Sequence, residues 1–241
     1  MLLIKNPNTN PYFNLAAEEY FLKTRTEDIF IVWRNFDAVI LGRNQDAERE
    51  VDSEAVKTLG VKVVRRLTGG GAVYHDKGNV NFTFIRRNAE AYFNDYPYFA
   101  APITSFLKTV GVDAEFSGRN DILAGGAKIS GTAQVKHNSD VLFHGTLLID
   151  TDLGILGKVL KPDYEKLERH AIKSVQSRVT NLKDIMSKPY TATEVMDLLF
   201  AHFLSNDGAE NYDMTGADVA AIEELAGTKY STYEWNYFGN I

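Results

Sequence analysis

Apolar and polar positions along the first third of the chain fall into short strand-like blocks, broken by stretches with helical spacing. L-L-I-K at 2–5 reads as a strand, and from Asn10 the period changes. Phe13, Ala16, Ala17, Tyr20 and Phe21 fall on one side of a helix, with Asn10 placed to cap it and Pro11 at its first position. D-I-F-I-V-W-R (28–34) and D-A-V-I-L-G-R (37–43) read as strands around an Asn-Phe turn. A short helix over 52–59 leads to a strand at 61–66, and another strand at 80–86 lies beyond a glycine-rich segment.

The second half repeats the theme with longer units. Residues 97–110 carry apolar positions at helical spacing and run into Gly111, a natural C-cap. Four strands follow within 112–149, the last two joined through H-N-S-D at 137–140 as a hairpin. Beyond 150 the pattern turns helical, at 152–160, 191–204 and 216–226, around a long polar stretch at 161–181. Loops of that length in a compact domain are usually functional or disordered. Clustered strands with peripheral helices predict an α+β fold with a mixed, largely antiparallel sheet. No repeat or linker divides the 241 residues.

Composition narrows the function. A net charge of -6, from 26 basic and 32 acidic residues, argues against a protein that wraps nucleic acid. The chain has no cysteine, so disulfides, thiolate metal sites and cysteine nucleophiles drop out. With no signal-peptide pattern and no apolar run long enough to span a bilayer, a cytoplasmic protein without membrane attachment is expected.

Three constellations carry candidate chemistry. In R-R-L-T-G-G-G-A-V-Y-H-D (65–76), consecutive glycines leave backbone N–H groups unobstructed, as in anion-binding concavities. Strand alternation sends Arg65 and Arg66 to opposite faces, so one of them leans over the loop. A tight connection between strands explains the glycines equally well. In S-G-R-N-D-I-L-A-G-G-A-K-I-S-G-T-A (117–133), Lys128 sits among small residues that leave room for a ligand, although a lysine on an edge strand is usually a surface residue. Asn120 and Asp121 bear the hard oxygens magnesium prefers, or serve a turn. In F-H-G-T-L-L (143–148), His144 precedes a glycine and reads as adjacent to a site rather than catalytic.

These motifs occur in the order and spacing of the lipoate-protein ligase A family. W-R-N at 33–35, G-R-N-Q at 42–45 and S-V-Q-S-R-V-T-N-L at 174–182 extend the resemblance over essentially the whole chain. It implies the catalytic domain shared by biotin and lipoate ligases, spanning 1–241, and an ATP-dependent reaction: lipoate and ATP yield lipoyl-AMP and pyrophosphate, and the lipoyl group passes to a carrier lysine. By the family pattern, Arg66, the loop Gly70, Gly71, Ala72, Val73 and Tyr74, and Ser177 and Arg178 hold the nucleotide. Lys128 bridges the lipoyl carboxylate and the α-phosphate as a cation. Lys128, Arg65, Leu67, Trp33 and His144 are expected around lipoate, and Asn120 and Asp121 at magnesium. The implied partners are lipoyl carrier domains, namely E2 subunits of 2-oxoacid dehydrogenases and the glycine cleavage H protein. Family members usually continue into a small C-terminal domain. Its absence here is expected to mean a short form, a shortened sequence, or one half of a two-chain enzyme with a separate accessory chain. Acyltransferases of the same fold use a cysteine thioester, a route closed here. A non-catalytic lipoate- or carrier-binding relative is the third alternative, against which the arginines, glycines and lysine count.

Overall fold

Strand β6 (Asn79–Arg86) explains the architecture, because each of its faces has a different character. Val80, Phe82 and Phe84 point to one side and join a large apolar core, while Asn81, Thr83 and Ile85 point to the other. Both faces are covered, so the polar residues of a half-apolar strand end up buried.

The computed structural model describes residues 1–118, 120–161 and 179–239. Among these, the strands are β1 (Leu2–Lys5), β2 (Ile29–Trp33), β3 (Ala38–Leu41), β4 (Lys62–Arg65), β5 (Val73–His75), β6, β7 (Ala114–Ser117), β8 (Asp121–Ala124), β9 (Ala127–His137), β10 (Asp140–Leu148) and β11 (Glu210–Asn211). The helices are α1 (Pro11–Thr24), α2 (Ala47–Glu50), α3 (Ser53–Leu59), α4 (Tyr96–Thr109), α5 (Leu153–Val159), α6 (Ala192–Leu204) and α7 (Gly216–Leu225). The main sheet runs β11-β1-β2-β6-β10-β9-β8-β7, parallel across β11, β1 and β2 and antiparallel elsewhere. The mixed, mainly antiparallel sheet is as expected.

A second sheet, β4-β3-β5, was not anticipated. Strands 61–66 and 80–86, read as two banks of one glycine turn, belong to different sheets. The loop instead joins β4 to a short β5, which pair to opposite edges of β3. Val73–His75 escaped the pattern because three residues establish no period.

One face of the main sheet packs on α4 and α6 through Phe82, Phe84, Phe99, Ile103, Phe143 and Leu199. The other packs on α1, α7 and the C-terminal turns, with Phe13, Phe21, Ile31, Trp33, Tyr230 and Trp235. A third cluster lies under the small sheet against α3 and α5. Helix α1 begins as predicted, Asn10 accepting from Tyr12 N ahead of Pro11. Thr191 and Thr215 start α6 and α7 with capping boxes. No helix among the described residues is long and apolar enough to cross a membrane.

Candidate active site

The polar face of β6 is the floor of a pocket roofed by the small sheet. Two rows of side chains run across the main sheet. Trp33, Asn81, Thr146 and Gly131 are in register in one row, and Ile31, Thr83, His144 and Ala133 in the next. Ile40, Val73 and His75 come from the small sheet above, Leu15 from α1, and Arg66, Gly71 and Ala72 from the glycine loop. Asn120 and Lys128 complete the lining.

Lys128 stands near the start of β9, where the pairing with β8 slips between Ile122 and Leu123. Its Nζ lies 2.7 Å from Asp121 Oδ1, and 3.0 Å from where a Cβ on Gly131 would be. Any larger residue at 131 would push the ammonium off its position, which gives that glycine a steric reason. The Lys128 side chain is 30% exposed, so the ion pair is a local one that an anionic ligand can displace. The backbone of Lys128 also pairs with Val179, and Thr180 N donates to its carbonyl at 3.0 Å. Residues 179–180 thus lie directly beside the lysine.

Arg66 faces the loop, as alternation predicted of one arginine. Its Nε donates to Thr68 Oγ1 (2.8 Å), its Nη2 to the carbonyls of Gly69 (2.7 Å) and Gly71 (2.8 Å), and its Nη1 to Ile40 O (3.2 Å). Gly70 has φ +93°, and a Cβ there would lie 2.9 Å from Arg66 Nη2. The loop therefore needs glycine for both conformation and space. These bonds occupy carbonyls of the loop and none of its N–H groups. Burial pushes the guanidinium down to about 10, so it is still charged at neutral pH.

A second chain of hydrogen bonds steadies the same loop. Thr68 Oγ1, which accepts from Arg66 Nε–H, also lies 2.8 Å from His144 Nε2. His144 Nδ1–H then gives to Glu18 Oε1 (2.8 Å), which also accepts from Thr83 Oγ1 (2.6 Å). Thr83 in turn accepts from Trp33 Nε1 at 2.9 Å. Glu18 was not singled out in the sequence, where it is one of two adjacent acidic residues on α1.

Not every expected residue reaches the pocket. Gly71, Ala72 and Val73 line it and Gly70 stands behind them, whereas Tyr74 points away. Alternation along β5 buries its ring in the cluster below, beside an open acidic depression formed with Asp37, Asp76, Asp150 and Asp152. Leu67 packs against the α1 core. Arg65 is a clear correction: its guanidinium is consumed by the carbonyls of Gly42, Arg43, Gln45, Trp235, Asn236 and Tyr237. At 1% exposure it is not part of the pocket lining. Trp33 and His144 are in the lining as expected. Ser177 and Arg178 lie outside the described residues.

Magnesium fits Asn120 and Asp121 only in part. No group of three or more His, Cys, Asp or Glu side chains among the described residues is arranged to hold a metal. Magnesium, however, is commonly bound by one or two carboxylates together with substrate phosphates. The single carboxylate of Asp121 suits that kind of shared site and no other.

A family model, the lipoyl protein ligase A/B catalytic domain, matches residues 10–204. The chain belongs to this family. It is 40% identical over 243 residues to lipoate–protein ligase 1 of Staphylococcus aureus, covering all of this chain and 74% of that protein. The lipoate-protein ligase LplJ of Bacillus subtilis is 37% identical, over 98% and 73% of the two lengths. Among solved structures, a bi-partite lipoate protein ligase from Thermoplasma acidophilum, studied with its E2 lipoyl domain, superposes with a TM-score of 0.84 at 31% identity. That match covers 98% of this chain and 95% of the other. A lipoate-protein ligase A bound with ATP gives 0.82 at 30% identity, over 98% and 97%. The lipoyl ligase fold thus accounts for both sheets, including the small one that the sequence pattern left unassigned.

Proposed function

We propose that this chain is a lipoate-protein ligase: it activates lipoate with ATP and transfers the lipoyl group to a lysine of a carrier domain. The observation that carries this reading is the Lys128 ammonium, seated over Gly131 at one end of a largely apolar pocket and next to a glycine loop braced from behind. An apolar slot suits an acyl chain, and a cation beside free backbone N–H groups suits two anions that must approach each other.

In the first step the lipoate carboxylate oxygen bonds to the α-phosphorus while the bond to pyrophosphate breaks. Repulsion between the reacting anions is the barrier, and Lys128 with the loop N–H groups lowers it electrostatically. Arg66 acts through the loop, holding Gly69 and Gly71 in place. Asn120 and Asp121 would hold magnesium, which would supply charge to the phosphates when bound. In the second step the carrier amine, having lost a proton, attacks the acyl carbon and AMP leaves. Lys128 polarises the anhydride in this step too. With no cysteine in these 241 residues, the acyl group passes directly to the amine rather than through a thioester.

The carriers we propose are lipoyl domains of E2 subunits and the glycine cleavage H protein. Residues 1–241 would form the catalytic part, and a separate accessory chain would complete it, as the bi-partite relative suggests. The test incubates the chain with lipoate, labelled ATP, magnesium and an apo lipoyl domain, following pyrophosphate release and carrier mass separately. Pyrophosphate and a lipoylated carrier are expected. If the carrier stays unmodified with both ATP and synthetic lipoyl-adenylate, the reading fails.

A further inference from the structure

One donor in the pocket has nothing to give to. Asn81 is 1% exposed, lines the pocket between Trp33 and Thr146, and its Nδ2 has no hydrogen-bond partner. Nitrogen and oxygen of a side-chain amide are told apart by their surroundings. Here a series of hydrogen-bonded side chains stands behind it.

Asn14 Nδ2 lies 3.0 Å from Asn8 O and 2.8 Å from Arg34 O, which can only accept, so that atom is nitrogen. Asn35 sets its Oδ1 2.9 Å from that nitrogen, sharing it with the two carbonyls, and its Nδ2 3.0 Å from His75 Nδ1. Burial, with Arg66 and His144 nearby, pushes the His75 imidazole down to about 3, so it is neutral. Its single N–H is therefore at Nε2 and gives to Thr146 Oγ1 (2.9 Å), whose own hydrogen goes to Asn81 Oδ1 (2.9 Å). In this arrangement Asn81 turns its oxygen to Thr146 and is left with its Nδ2, an unpartnered donor, in the pocket wall.

Asn81 is two strands from Gly131, over which Lys128 sits. Adjacent strands are about 4.8 Å apart, which puts Asn81 about 10 Å from the cationic end. A carboxylate held at Lys128 would send the far part of a medium-length acyl chain past this donor. A dithiolane sulfur is a weak acceptor, whereas a saturated chain offers only C–H and strands the donor without water.

Building on the ligase reading, we propose that Asn81 Nδ2 reads the acyl tail and selects a sulfur-bearing acid over the plain fatty acid of the same length. The deciding experiment titrates the whole chain calorimetrically with lipoate, octanoate and an eight-carbon acid in which one thioether sulfur replaces a methylene. Lipoate should bind at least about tenfold more tightly than octanoate, with the thioether between them. In Asn81→Leu, close in shape but without the donor, the two acids should come within about twofold. Equal affinities in the unaltered protein overturn the proposal, and so does an unchanged ratio in a folded Asn81→Leu. The ligand series alone decides if that variant does not fold. ATP–pyrophosphate exchange is run with each acid alongside. Equal binding together with efficient exchange from both acids removes the selectivity and leaves the ligase reading intact, while failure of every acid to bind removes both.

Discussion

Arg65 and Arg66 are consecutive, both almost fully buried, and serve opposite ends of the molecule's design. Arg65 ties the loop at 42–45 to the C-terminal turn at 235–237, and its backbone joins in, the N–H donating to Asn236 Oδ1 and the carbonyl accepting from Trp235 Nε1. Arg66 ties the glycine loop to the pocket wall. The first is a structural clamp away from the pocket, while the second lines the pocket and braces its loop. Identical chemistry, a planar fork among carbonyls, thus serves stability on one face of a strand and function on the other.

Breaking the clamp should have the largest effect. Arg65→Ala leaves several buried carbonyls unpaired and should lower stability by about 3–5 kcal/mol, read from denaturant unfolding. Loss of ATP affinity with stability intact would reverse the roles assigned to the two arginines. On the functional side, Lys128→Ala should fold normally and lose about 10²–10³-fold in both adenylation and transfer, or about 3–4 kcal/mol of transition-state stabilisation. Retained turnover in either step would remove the lysine from that step.

Arg66→Lys keeps the charge but not the fork. It should raise the KM for ATP by about tenfold while lowering stability by about 1–2 kcal/mol. If only stability falls, Arg66 is a second clamp and the contrast disappears. Gly70→Val strikes the same loop through φ and the contact with Arg66, and should weaken ATP binding similarly. Unchanged ATP affinity there would show that the nucleotide does not lie on the loop.

The smallest effect expected is a pH dependence. The folded His75 is depressed to about 3, against an ordinary value near 6.5 in the unfolded chain. Between these limits the unfolded chain binds the extra proton, so stability falls as pH is lowered below about 6.5, by about 1–2 kcal/mol by pH 5. His75→Gln should flatten that part of the profile. An identical slope in the variant would assign the acid sensitivity elsewhere.

How much of this was legible beforehand depended on distance along the chain. Local signals read correctly: the Asn10 cap and Pro11, the hairpin of β9 and β10, and the crowd of small residues around Lys128. What failed was pairing. The apolar blocks at 37–43, 61–66 and 80–86 looked alike, and nothing within them says that two belong to one sheet and the third to another. Arg65 was assigned to the ligand because its partners lie elsewhere in the chain, three carbonyls at 42–45 and three about 170 residues downstream. Asn81 and Glu18 were passed over because a polar residue on an amphipathic element is normally a solvated one. Only the cover provided by the small sheet makes them interior.

The hairpin has a consequence for the order of assembly. Lys128, Gly131, His144 and Thr146 all lie on β9 and β10, whose pairing closes over a short turn. The Arg65 clamp closes a loop of about 170 residues, for which the entropic cost falls late. Mutations in the hairpin should therefore slow folding, and mutations in the clamp should mainly speed unfolding. A chain emerging from the ribosome would make the wall that carries its lysine early, and could tie down the loop at 42–45 only once Trp235 to Tyr237 had been added.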